Sequence, residues 1–283
     1  MASPLRALVR ILAYLSLTFA LVLPQAIAVA LESPFRQRIP LFYHRTCRRI
    51  FGLRVELRGT MARTPPVLFA SNHTSYLDIM VLASLIPGSF VAKSEVASWP
   101  LFGLLAKLQR TVFVVRDRRH AMAQRDEMSV RLAAGDDLIL FPEGTSNDGN
   151  RVLPFKSALF AAAQPEVGGR ALTVQPVSVA YTALDGMPLG RFLRPFYAWY
   201  GDMDMASHIW RVAGLGNATV VVEFHPPAPA ETLRSRKALA DYCQRAVAGG
   251  VARALSGRPL EVVPADGAGA EGEAEIRTLA VAP

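Results

Sequence analysis

The sequence predicts an α/β protein: a mixed, largely parallel central sheet flanked by helices, behind an N-terminal membrane-embedded helix or helix pair. Three observations carry that prediction. Short apolar, β-branched runs recur along the middle of the chain, helix-like segments separate several of them, and a long uncharged stretch precedes them all. Strands that alternate with helices supply the crossovers a parallel or mixed sheet needs.

The uncharged stretch is "ILAYLSLTFALVLPQAIAVAL", residues 11–31. At about 1.5 Å per helical residue it reaches roughly 30 Å, the thickness of a bilayer core. Three readings fit. One is a spanning helix. The second is a helix pair broken at Pro24-Gln25 that enters one leaflet and returns. The third is a cleaved signal peptide, with Arg6 and Arg10 as n-region and "AVA" at 28–30 as cleavage site. The basic C-terminal flank (Arg36, Arg38, Arg45, Arg48, Arg49) keeps the remainder of the chain on the cytoplasmic side, which predicts an inner (cytoplasmic) membrane protein. A re-entrant pair would set both basic flanks against anionic headgroups. The next stretch, "PLFYHRTCRRIFGLRVEL", interleaves Leu41, Phe42, Cys47, Ile50 and Phe51 with basic residues. It reads as one amphipathic helix, lying at the interface or on the core.

In the body the strand-like runs are "VLFAS" at 67–71, "SFVAK" at 89–93, "TVFVV" at 111–115, "DLILF" at 137–141, "VQPVSVAY" at 174–181 and "TVVVEF" at 219–224. Helices are expected at 78–85, at 119–134 with Gly135 as its stop, and at 231–255. The chain is expected to divide into a membrane-anchoring segment 1–52, a folded domain 53–256 and a disordered tail 257–283, low in large apolar residues. With 283 residues, 51% of them hydrophobic, there is material for an ample core. The net charge of +8 suggests an anionic partner, and no aromatic-interleaved basic patch points to nucleic acid. Cys47 and Cys243 form neither a metal-ligand spacing nor a disulfide framework, so no metal is expected.

Ligands of open α/β sheets bind beyond the carboxyl ends of strands. Polar clusters stand there: "SNHTSYLD", "RDRR" and "PEGTSNDG". In the first, His73 and Asp78 are five positions apart, about 140° on a helix, so they cannot share a face. They meet only if His73 lies outside the helix. A capping box with Ser75 as N-cap and Asp78 in the first turn would let His73 fold back. Asp78 would then accept from Nδ1 and leave Nε2 as a base. The same spacing also fits a plain capped helix. "FPEGTSNDG" offers Glu143, Gly144 and Thr145 at a turn whose backbone can approach a phosphate. Arg116 ends a strand, a position suited to bidentate phosphate binding. Pro176 removes a ladder donor and implies an edge, a bulge or a strand end.

These blocks, in this order, resemble the membrane lysophospholipid acyltransferases, of the bacterial 1-acylglycerol-3-phosphate acyltransferase type. "NHTSYLD" matches the family's NH-x4-D block, "VFVVR" the arginine block, "FPEGT" the third block and "VQPVSV" the proline block. Thr111 and Gln175 depart from the usual pattern. The resemblance implies a glycerolipid acyltransferase-like fold. It also implies transfer of an acyl group from acyl-CoA or acyl carrier protein to the free hydroxyl of 1-acylglycerol-3-phosphate, giving phosphatidic acid. His73 and Asp78 would be catalytic, and Arg116, Glu143, Gly144 and Thr145 would bind substrate, Glu143 by positioning an arginine or a glycerol hydroxyl. Asn72, Lys93, Lys156 and Pro176 are further candidates. The oxyanion would be held by backbone N–H groups near the helix start. No cofactor is implied. Lyso-ornithine lipid, whose hydroxyl sits on a fatty acyl chain, is the alternative acceptor. An exported, non-catalytic lipid-binding protein is the reading from another class.

Overall fold

The computed structural model describes residues 2–114 and 121–257, and side chains within 115–126 are not among those described. Arg116, "RDRR" and the expected tail from 258 on therefore lie outside the described residues.

Helix α1 (Pro4–Ala30) runs unbroken through Pro24. The break expected at Pro24-Gln25 comes instead at residues 31–34, before α2 (Phe35–Ile50). One missing N–H in a ladder this long is outweighed by side-chain anchoring next door: Gln25 Nε2 donates to Arg36 O at 3.1 Å and to Leu108 O at 2.8 Å. α1 and α2 pack on each other, and α1 also packs on α4 (Phe102–Leu108) and α6 (Met205–Gly214). The helix expected to continue through "FGLRVEL" ends at Ile50. Gly52 takes a left-handed conformation and Leu53–Gly59 is a strand, β1. Its Leu-Arg-Val-Glu-Leu-Arg alternation has the period of a strand at a sheet edge, not of a helix.

The remaining strands are β2 (Val67–Ser71), β3 (Ser89–Lys93), β4 (Val112–Val114), β5 (Leu138–Leu140), the short pair β6 (Glu166–Val167) and β7 (Arg170–Ala171), then β8 (Thr173–Leu184), β9 (Met187–Pro188) and β10 (Ala218–Phe224). The main sheet has the order β1-β10-β8-β2-β5-β3-β4, with β9 on β8. From β8 through β4 all pairings along this order are parallel, and the direction reverses only between β8 and β10. This is the mixed, mostly parallel sheet that the alternating pattern predicts. β2 is buried on both faces: Val67 and Phe69 join the core under α1, α2 and α3 (Leu77–Ala83), while Leu68 and Ala70 join the core under α5 (Ala121–Ala133) and α7 (Arg236–Ser256). Gly135, at φ +83°, follows α5 as expected.

Pro176 lies in β8, an internal strand, not on an edge. The last β8–β10 pair is Val177–Phe224, so Pro176 stands where the antiparallel neighbour runs out, and its missing donor leaves no gap in that ladder. Its carbonyl accepts from His225 N–H. His225 is itself buried, with Nε2 3.1 Å from Ser178 Oγ and Nδ1 3.3 Å from Glu223 Oε1. Burial lowers its pKa to about 4, against the pull of Glu223 in the other direction. An imidazole held neutral in the fold but free to protonate when unfolded stabilises fully above about pH 6.5. That contribution, up to about 3 kcal/mol, is lost as pH falls from 6.5 toward 4. Thermal denaturation of the wild type and His225→Gln across this range should show the wild type losing more stability on acidification.

Candidate active site

β2 and β5 are adjacent and parallel, with Ala70 opposite Leu140. The loops that leave their carboxyl ends therefore meet, and these loops carry "SNHTSYLD" and "FPEGTSN". Asn72 opens the first. Its amide pairs with both backbone groups of Val179, Nδ2 to the carbonyl at 2.9 Å and Oδ1 from the N–H at 2.8 Å. A side chain thus extends the β2–β8 ladder by one step and fixes where the next residue starts.

That residue is His73. Its Nδ1 lies 2.9 Å from Asp78 Oδ2. The histidine is outside the helix, as a spacing of five requires. The local geometry differs from the expected capping box, however. α3 starts at Leu77 with Tyr76 in the cap position, and Ser75 Oγ accepts from Leu77 N–H at 3.3 Å rather than from Asp78. Only the reverse half of the box forms: Asp78 Oδ2 accepts from Ser75 N–H at 2.9 Å, and from Thr74 N–H at 2.6 Å. Those two N–H groups are thereby turned to Asp78. Neither of these two is free for an oxyanion. The fourth donor is Tyr181, whose hydroxyl reaches Asp78 Oδ1 at 2.9 Å. Asp78 is fully buried and Tyr181 is 4% exposed, which raises the phenol pKa well above its usual value and keeps it a donor. Four hydrogen-bond partners on a buried carboxylate hold it oriented.

The second loop clamps the first. Phe141 stacks on the His73 ring at 4.1 Å between centroids. Glu143, 1% exposed, accepts from His73 N–H at 2.8 Å with Oε1, and from Asn147 Nδ2 at 2.6 Å and Leu153 N–H at 3.0 Å with Oε2. Asn147 in turn donates its N–H and its amide to the His73 carbonyl, at 3.1 and 3.2 Å. Burial pushes the Glu143 carboxyl up to about 7, while these donors and His73 pull it down. All three of these partners are N–H groups, so the hydrogen-bond pattern calls for the ionised form. Glu143 thus holds the histidine loop. Among the described residues its partners are backbone and amide N–H groups. Gly144, at φ +69°, closes the turn with its N–H on Phe141 O at 3.0 Å. A side chain there would be strained. Thr145 is exposed.

Lys93 ends β3, two strands from β2, and Lys156 is exposed, with its backbone N–H on Pro142 O. Sequence reasoning misses Tyr181, Asn147 and Phe141. Phe141 opens the "FPEGT" block, while Asn147 and Tyr181 stand two residues beyond the "FPEGT" and "VQPVSV" blocks, and nothing in the sequence marks their contacts. Tyr181→Phe keeps the ring stacked on Tyr197, 5.4 Å away, and removes only the bond to Asp78. It should lower kcat roughly tenfold with little change in KM, measurable by steady-state kinetics.

A family model described as Acyltransferase matches residues 53–180. A lyso-ornithine lipid O-acyltransferase of Brucella abortus is 42% identical over 264 residues, covering 92% of this chain and 99% of its own. A 1-acyl-sn-glycerol-3-phosphate acyltransferase of Neisseria gonorrhoeae is 33% identical, covering 64% of this chain and 68% of its own. The crystal structure of the 1-acyl-sn-glycerophosphate acyltransferase PlsC from Thermotoga maritima has the same fold, with a TM-score of 0.60 at 21% identity over 91% of this chain and 99% of that one. The protein is an O-acyltransferase that acts on a lysolipid. The chain belongs to the lysophospholipid acyltransferase family.

Proposed function

We propose that the protein transfers an acyl group from an acyl thioester, carried by coenzyme A or acyl carrier protein, to the hydroxyl of lyso-ornithine lipid. The observation that carries this reading is the near-complete match to the Brucella relative. The motif blocks alone rank 1-acylglycerol-3-phosphate first; the extent of the matches supports the opposite order. Phosphatidic acid formation is the second reading, favoured by the Neisseria relatives at 33% identity.

His73 Nε2 takes the proton of the acceptor hydroxyl as its oxygen attacks the thioester carbonyl. The Asp78 carboxylate orients the ring and stabilises the imidazolium. The C–S bond then breaks, and the proton passes from His73 to the departing thiolate. Glu143, Asn147 and Phe141 hold the loop so that the imidazole needs no reorganisation. An apolar cavity beside the site suits an acyl chain. It lies between α1, α2, α3 and α4 and opens to solvent. Tyr76 and Phe90 line it, and Phe90 stacks on Phe141, the ring that also stacks on His73.

The same reading puts the protein at the inner face of the cytoplasmic membrane. The outer side of α1 leaves Leu5, Val9, Leu12, Phe19, Leu23 and Ile27 exposed, an apolar strip suited to lipid. Its inner side is part of the core: Ala7 is buried, Tyr14 packs edge-on to Phe51, and Arg10 Nη1 donates to Leu215 O at 2.7 Å. That supports retention of α1 over cleavage at 28–30, and weighs against the exported lipid-binding reading. The test is an acceptor panel with purified protein in detergent and labelled acyl thioester. The proposal expects diacylated ornithine lipid as the main product; conversion of 1-acylglycerol-3-phosphate alone would overturn it.

A further inference from the structure

The cavity is mostly apolar, and its polar lining includes, along with Thr18, Gln109 and Thr111, Gln25 of α1 and His44 of α2, which are 5% and 8% exposed. Both are anchored to consecutive residues where α4 ends. Gln25 Nε2 donates to Leu108 O, and His44 Nε2 lies 3.0 Å from Gln109 Oε1. They therefore belong to the same end of the cavity. Gln109 Nε2 donates to Gly88 O, so its oxygen is the acceptor toward His44, and His44 Nε2 carries the proton. Burial lowers the His44 pKa to about 4, which keeps the ring neutral. Nδ1 is then a lone-pair acceptor. Among the described residues, neither Nδ1 nor Gln25 Oε1 has a hydrogen-bond partner.

Two buried acceptors without a donor among the described residues, at one end of a mostly apolar cavity, are complementary to a ligand that brings a hydroxyl there. A plain hydrocarbon reaching that end would leave both unsatisfied. Thr18 does not fill the need: its Oγ1 donates to Tyr14 O at 2.7 Å and lies 3.0 Å from the Tyr43 hydroxyl.

We propose that this end of the cavity binds a hydroxyl borne on the acyl chain, so that the enzyme prefers hydroxylated acyl chains to plain ones of equal length. The proposal rests on the reading of the cavity as the acyl-chain site. Only recognition is involved; the bonds made and broken are those of the transfer itself.

The test uses the full-length protein with one acceptor and a series of acyl thioesters of fixed length, plain or with a hydroxyl stepped along the chain. The wild type should show, for at least one hydroxyl position, a kcat/KM about tenfold or more above the plain chain. Gln25→Met and His44→Phe each remove one acceptor and should bring that ratio close to one. The ratio is read within each variant, so a general loss of activity does not obscure it, and circular dichroism reports whether the variant folds. If neither variant folds, the wild-type series alone decides. Transfer of the plain chain with no preference at any hydroxyl position overturns the hydroxyl site and leaves the acyltransfer reading intact. Absence of transfer from every thioester overturns both.

Discussion

Replacement of His73 by alanine is expected to lower kcat on the order of 10³-fold while the protein stays folded. An alcohol near neutral pH is a weak nucleophile, and a positioned general base supplies about 10² to 10⁴. His73 is placed for that role from three sides: Asp78 on Nδ1, Phe141 against the ring face, and Glu143 and Asn147 on its backbone. The backbone clamps do not use the imidazole and survive its removal. Loss of the stacking contact with Phe141 costs about 1 kcal/mol, so the melting temperature should move by a few degrees at most. Initial rates on purified variant and wild type, with melting curves on the same samples, check both halves. Near-normal turnover would remove His73 from the chemistry.

Asp78→Ala is expected to cost as much in turnover and far more in stability. Its carboxylate is fully buried and receives the Thr74 and Ser75 N–H groups, the Tyr181 hydroxyl and His73 Nδ1. Alanine leaves the first three without an acceptor, at about 1–3 kcal/mol each when buried. A total above about 3 kcal/mol lowers the melting temperature of a chain this size by roughly 6–12 °C. The contrast separates the two roles: His73→Ala abolishes chemistry in a stable protein, whereas Asp78→Ala loses both. Equal melting temperatures for the two variants would mean that the turn between β2 and α3 does not depend on the carboxylate.

Much of this arrangement is legible in the sequence because it depends on local pattern. The β-branched runs of β2 and β3 appear with the bounds read from the sequence, since both are central strands bounded by polar turns. β1 is hidden because its arginines and glutamate continue the basic pattern of α2, and only the switch of period at Gly52 betrays it. The α1–α2 break is displaced because Pro24 is a local signal overridden by distant contacts of Gln25. At the site, the sequence shows that His73 must leave the helix to reach Asp78, but not how. The spacing favours Ser75 as the cap, while the structure lets the Asp78 carboxylate cap the turn from inside. The part played by Glu143 cannot be read from the sequence at all. Its charge and its glycine neighbour suggest a ligand site, and only the parallel register of β2 and β5 brings its carboxylate to a backbone N–H seventy positions away. Tyr181 is equally remote, delivered by the neighbouring strand β8.

The central claim is that one base, His73 held by Asp78, moves the acyl group directly from thioester to hydroxyl, with no acyl-enzyme between. The most direct test is a matrix of initial rates, donor concentration against acceptor concentration, on the wild-type protein. Direct transfer in a ternary complex predicts double-reciprocal lines that intersect. Parallel lines, the signature of a covalent intermediate, would contradict it.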